Sequence, residues 1–64
     1  MSAHHDIAIA YLSAGAHASS RCAAAALCGH GHYLGQPNLL AAEAHVAQAQ
    51  ALRAVIREIQ ESAT

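Results

Sequence analysis

The run Pro37–Glu61, PNLLAAEAHVAQAQALRAVIREIQE, constrains this chain more than any other feature. After Pro37 it contains neither Gly nor Pro, so it predicts one long helix. Pro37 suits a first helical turn, where its missing N–H costs nothing. Gln36 or Asn38 can cap that turn, and Asn38 is the better capping type. Glu43 falls near the positive end of the helix dipole, and Arg53 and Arg57 toward its negative end, where Glu58 and Glu61 partly cancel them. At 1.5 Å per residue such a helix is roughly 35–38 Å long.

A heptad runs through it. One seam position holds Asn38, His45, Leu52 and Ile59; the other holds Ala42, Ala49, Ile56 and Ala63. The back carries Glu43, Gln50, Arg53, Arg57 and Glu61. A helix with one apolar stripe needs a partner. Leu39, Leu40, Val46 and Val55 flank the seam and widen it, which implies contact with more than one other helix.

With 64 residues the chain is one domain. It is 55% hydrophobic, but more than a quarter of it is alanine, and Tyr11 and Tyr33 are its only aromatics. Burial stabilises by roughly 25 cal/mol per Å² of apolar area, so an alanine core contributes little. Oligomerisation is the usual remedy for a small scaffold without disulfides or metal. A formal net charge of −1, with three Arg and no Lys, argues against nucleic acid, whose binding needs clustered basic side chains. No apolar run reaches the roughly 18–20 residues of a membrane span, and no basic and apolar leader is evident. Cys22 and Cys28, six apart on one predicted helix, point roughly 240° apart and cannot bridge each other. Two unpaired thiols suit a reducing cytoplasm.

Ahead of the long helix, Ser2 can cap a first one over residues 3–28, with Asp6 in its first turn. Gly29 suits its C-terminal stop. Residues 29–37, GHGHYLGQP, form the connecting loop, and the second helix covers residues 38–61. The expected inner seam of the first helix is Ala8, Gly15, Cys22 and Gly29 with His4, Tyr11, Ala18 and Ala25. Leu12, Ser19 and Ala26 lie beside it, and Asp6, Ser13, His17, Ser20 and Arg21 face away. Gly15 inside a helix costs about 1 kcal/mol relative to Ala, which a close helix approach would explain. A hairpin centred on the loop pairs Ala8 with Ile59, Tyr11 with Ile56, Gly15 with Leu52, Ala18 with Ala49, Cys22 with His45 and Ala25 with Ala42. Large residues then meet small ones, as interdigitating layers require. The fold expected is all-α, an antiparallel two-helix hairpin of one domain, 1–64. Ile9, Leu27, Leu39, Leu40, Val46 and Val55 stay partly exposed, so two hairpins should pair into a four-helix bundle.

Few residues suggest chemistry. Cys28, His30 and His32 are metal-ligand types on a glycine-flanked loop, but no fourth ligand is near and zinc patterns use two separated pairs; the plainer reading is a solvated turn with two exposed histidines. With Met1 removed, Ser2-Ala3-His4 would match a square-planar copper or nickel set, against the plainer reading of a frayed start. Cys22 beside His45 would begin a nucleophilic dyad, yet no orienting group or oxyanion donor accompanies it. A polar residue fixing register is the simpler role for His45. No cofactor and no enzymatic activity are expected. For partner binding, Tyr33 and Leu34 on the loop, with Leu39, Leu40 and Val46 on the flank, are the best anchors, because interface energy concentrates in a few aromatic and large apolar side chains.

In size, loop position and the run AAEAHVAQAQALRAVI, the chain resembles three groups of small two-helix proteins. These are Rop-like RNA-binding bundles, co-chaperones of type III secretion needle subunits, and phage-encoded inhibitors of host regulators such as quorum-sensing anti-activators. The resemblance implies a regulator that binds and inhibits, or shelters, another protein. The scarcity of basic residues sets the RNA-binding group apart. The alternative function is metal binding at Cys28, His30 and His32.

Overall fold

The structure, a computed structural model, describes residues 3–62. Helix α1 spans Ala3–Cys28 and helix α2 spans Leu39–Ser62, joined by a loop that contains a short 3-10 turn, Gly31–Tyr33. The two helices pack along their lengths as a hairpin. Ser2 as a cap, the copper or nickel set that would begin at Ser2, and seam residue Ala63 fall outside the described residues.

Helix α2 begins where its best capping residue stands. The Asn38 side-chain Oδ1 accepts from the Ala41 amide at 2.9 Å, and its carbonyl accepts the first helical bond from Ala42 at 3.0 Å. These bonds satisfy donors that a helix start leaves open. Pro37 therefore lies just outside the helix rather than in its first turn, and Asn38 is the cap rather than a seam residue. The rest of the α2 seam is as the heptad predicts. Ala42 and Ala49 are buried, and His45, Leu52, Ile56 and Ile59 are half-buried.

The α1 seam differs from expectation. The buried residues are Ala16, Ala23 and Ala26, and His5, Ile9, Leu12 and Ser19 are half-buried between and beyond them. The seam is turned part of the way toward the next residue: Ala8, Gly15 and Ala25 of the expected set stay half-buried and Gly29 is buried. His4, Tyr11, Ala18 and Cys22 consequently face out, and Tyr11 is 81% exposed instead of meeting Ile56. The cause is steric. Three alanines of α1 face two of α2, and this small-against-small contact draws the backbones together. At the level of Tyr11 the inward places are taken by Ile9 and Leu12, both half-buried. Ser20, expected to face away, is half-buried and accepts a hydrogen bond from the Arg53 guanidinium at 3.0 Å. Gly15 stays at the edge of the seam, and a Cβ built there would stand 3.4 Å from Leu52 Cδ1, so the Gly15–Leu52 layer of the expected register is present.

The turn between the helices is tightly tied. Gly29 takes φ +74°, and the His30 amide donates back to the Ala25 carbonyl at 2.9 Å, closing α1 with a Schellman-type cap. The Asn38 amide donates to the Ala26 carbonyl at 2.8 Å, so the start of α2 hangs directly on the last turn of α1. Only glycine fits position 29. A Cβ there would lie 2.8 Å from the Gly35 carbonyl carbon.

The hairpin is a thin rod of 45 × 16 × 9 Å with a radius of gyration of 14.3 Å, where a compact chain of this length has about 10.7 Å. Its surface of 4569 Å² exceeds the roughly 3900 Å² of a compact protein of equal mass. Among the described residues the buried side chains of the core are those of five alanines, and no large side chain is fully buried.

Candidate interaction surfaces

Three surfaces stand out. The first is the loop end. The 3-10 turn is held by the Tyr33 amide on the His30 carbonyl at 3.2 Å and the Leu34 amide on the Gly31 carbonyl at 3.1 Å. The chain then reverses through Leu34 at φ +51° and Gly35 at φ +81°. Leu34 is the described residue other than glycine with positive φ, and it is 85% exposed. Its side chain stands in solvent while its backbone occupies a region that costs an L-residue roughly 1–2 kcal/mol. Tyr33 behaves otherwise. It is half-buried, and its ring meets His32 edge-on at a centroid distance of 5.3 Å. The more open of the two expected anchors is therefore Leu34.

The second surface is the start of α2. Leu39, Leu40 and Val46 are all exposed, Leu40 at 79%. Leu40 and Leu39 follow the cap directly, so the fixed Asn38 geometry sets their direction. Five exposed or half-exposed apolar and aromatic positions are thus grouped at one end of the rod.

The third surface was missed from sequence. Ile7, Tyr11, Ala14, Ala18, Cys22 and Ala25 share the outer face of α1, all exposed except half-buried Ala25. Their spacing of four, three, four, four and three residues keeps them within one stripe of the helix. A shallow groove of about 340 Å³ opens on it, lined by Ala18, Arg21, Cys22 and Ala25. The periodicity was legible, but four of its members, Tyr11, Ala18, Cys22 and Ala25, belong to the expected inner seam.

The candidate chemistry does not assemble. Among the described residues no group of three or more His, Cys, Asp or Glu side chains is placed to hold a metal ion, so Cys28, His30 and His32 are not gathered into a site. The Cys22–His45 pair fails as well. Cys22 is exposed on the outer face of α1, and His45 Nδ1 lies 3.0 Å from Gln48 Oε1 on its own helix. Both cysteines are free. No helix among the described residues is long and apolar enough to cross a membrane.

Comparison with protein-family models, with curated proteins and with solved structures yields no match, so the resemblance to small two-helix regulators rests on size and layout.

Proposed function

We propose that this chain is a small non-enzymatic regulator that binds another protein through the loop end of the hairpin, inhibiting or sheltering it, and that works as a homodimer in a reducing cytoplasm. Leu34 carries the reading. A strained backbone position is retained where surrounding structure or function demands it. Nothing in the fold uses the Leu34 side chain, which is 85% exposed, and glycine would hold the same turn without strain. A leucine there serves something outside the chain. Tyr33 beside it, with Leu39, Leu40 and Val46 on the adjoining turns, supplies a clustered apolar surface of the kind that anchors a partner.

The surface balance supports dimerisation. The excess of about 700 Å² over a compact monomer is close to the roughly 800 Å² that each partner buries in a standard interface. Two hairpins pairing into a four-helix bundle would bring exposed apolar side chains such as Val55 toward the burial that the monomer denies them. The two exposed free thiols, Cys22 and Cys28, suit a reducing compartment.

Leu34→Gly tests the loop reading. The variant keeps the left-handed turn and loses only the side chain, so helical circular dichroism and oligomer mass should match wild type. Parallel affinity purification from the source cells should then recover a stoichiometric protein with wild type and not with Leu34→Gly. Equal recovery with both chains would show that the loop is only a connector.

A further inference from the structure

The hairpin has two unlike sides, and we infer that its uncharged side, built from both helices, is the surface on which a second copy of this chain docks. This rests on the dimer proposed above and names the face that makes it. Two contacts between the helices mark the sides. On one, a Cβ at Gly15 would stand 3.4 Å from Leu52 Cδ1. On the other, the Arg53 guanidinium donates to the Ser20 hydroxyl at 3.0 Å. Gly15 and Ser20 lie roughly 140° apart around α1, and Leu52 and Arg53 roughly 100° apart around α2. The two contacts therefore sit on opposite sides of the plane that holds the helix axes.

Positions three, four or seven residues from a marker share its side. Gly15 brings Tyr11 and Cys22 with it, and Leu52 brings Gln48, Val55 and Ile59. None of the positions so related to Gly15 or Leu52 holds Asp, Glu or Arg. By the same spacing Ser20 and Arg53 gather Ser13, His17, Gln50, Arg57 and Gln60, all exposed, with Val46 among them. One side of the hairpin is thus polar and basic, and the other is apolar along its length. The apolar side is not closed. Tyr11 is 81% exposed and Val55 42%, and Leu52 and Ile59 are only half-buried, so their open sides continue the interhelix seam outward.

A second copy fits this face in extent and in charge. The Cα trace measures 45 × 16 Å across the plane of the two helices, about 720 Å². A standard interface takes roughly 800 Å² from each partner, so a dimer needs the whole face, and a second hairpin is a rod of the same length and width. A two-fold interface sets a surface against itself. A face without formal charge meets itself without repulsion, whereas the side holding Arg53 and Arg57 would place like charges together. Stacked on the uncharged face, the four helices enclose one core. Val55 is then covered, while Val46, seven residues before Arg53, stays open to the partner protein.

Val55 and Val46 make a matched pair for the test, 42% and 45% exposed on opposite sides. Sedimentation equilibrium at tens of micromolar should give a dimer for wild type and for Val46→Glu. Val55→Glu should shift to the monomer mass, since it would bury an unpaired carboxylate, with helical circular dichroism retained. The native thiols read the same face without mutation. Cys22 lies on it, Cys28 lies roughly 240° further round α1, and both are exposed in the single hairpin. Alkylation of Cys22, followed by peptide mass spectrometry, should slow in proportion to the remaining monomer as concentration rises, and that of Cys28 should not change. A wild-type dimer whose two thiols react alike at every concentration overturns the face and leaves the dimer standing. So does a dimer that Val46→Glu dissociates as readily as Val55→Glu, or that neither dissociates. A wild-type monomer overturns both the face and the dimer, while the loop reading is judged separately by Leu34→Gly.

Discussion

Gly15 gives the sharpest test of the packing within one hairpin. Its φ is not in the positive region, so a side chain meets no backbone strain, and a Cβ would find Leu52 Cδ1 at 3.4 Å. Replacing a helix-interior glycine by alanine gains about 1 kcal/mol of helix propensity. The new methyl sits slightly inside the optimum carbon–carbon separation of about 3.5–4.0 Å. Its neighbour is the end of a flexible, half-buried side chain, and a small rotation away from the rotamer minimum costs at most about 0.5 kcal/mol. Gly15→Ala should therefore stabilise by about 0.5–1 kcal/mol, which raises Tm by several degrees in a domain this small. Gly15→Leu is different, because its outer carbons compete for the volume Leu52 fills. Overpacking of about 1–3 kcal/mol then exceeds the propensity gain. Leu52→Ala in the Gly15→Leu background should recover stability, giving a favourable coupling of about 1 kcal/mol or more in a double-mutant cycle. Urea titrations followed by circular dichroism measure all four chains, at one protein concentration because a dimer's stability depends on it. If Gly15→Leu proves more stable than wild type, Leu52 does not occupy that layer and the register is wrong.

Other outcomes follow from the turn. Gly29→Ala should cost about 2 kcal/mol or more in the same titration, since it adds a left-handed penalty to a 2.8 Å clash with the Gly35 carbonyl carbon. Asn38→Ala should cost about 1 kcal/mol and speed hydrogen exchange at the Ala41 amide, which would lose its Oδ1 acceptor. Leu34→Gly should hold or raise stability by up to about 1 kcal/mol through relief of left-handed strain; a clear loss would mean the side chain supports the fold.

How legible the fold was differed sharply between its helices. In α2 the heptad carried contrast: Leu52, Ile56 and Ile59 on one side, Glu43, Gln50 and Arg57 on the other. That contrast located the seam, and Asn38 and Gly29 located both ends of the turn. In α1 there was almost no contrast. Alanines occur on nearly every side of it, so hydrophobicity alone permits several seams. The expected seam took Tyr11 inward with the heptad of His4, Ala18 and Ala25. The structure instead turns Ile9 and Leu12 toward α2, half-buried, and buries Ala16, Ala23 and Ala26 on the same side. Among the expected binding residues, Leu34, Leu39, Leu40 and Val46 are exposed, and half-buried Tyr33 is the exception. The positive φ of Leu34 was beyond sequence reasoning, since leucine carries no signal for it.

The ambiguity of α1 and its second surface have one physical origin. A helix apolar over most of its circumference can satisfy only one stripe against a single partner helix. Here α2 covers the stripe of Ile9, Leu12, Ala16, Ala23 and Ala26, and Ile7, Tyr11, Ala14, Ala18 and Cys22 stay outside. A single hairpin leaves one apolar stripe of α1 in water whichever rotation it takes, which is why hydrophobicity alone could not choose between them.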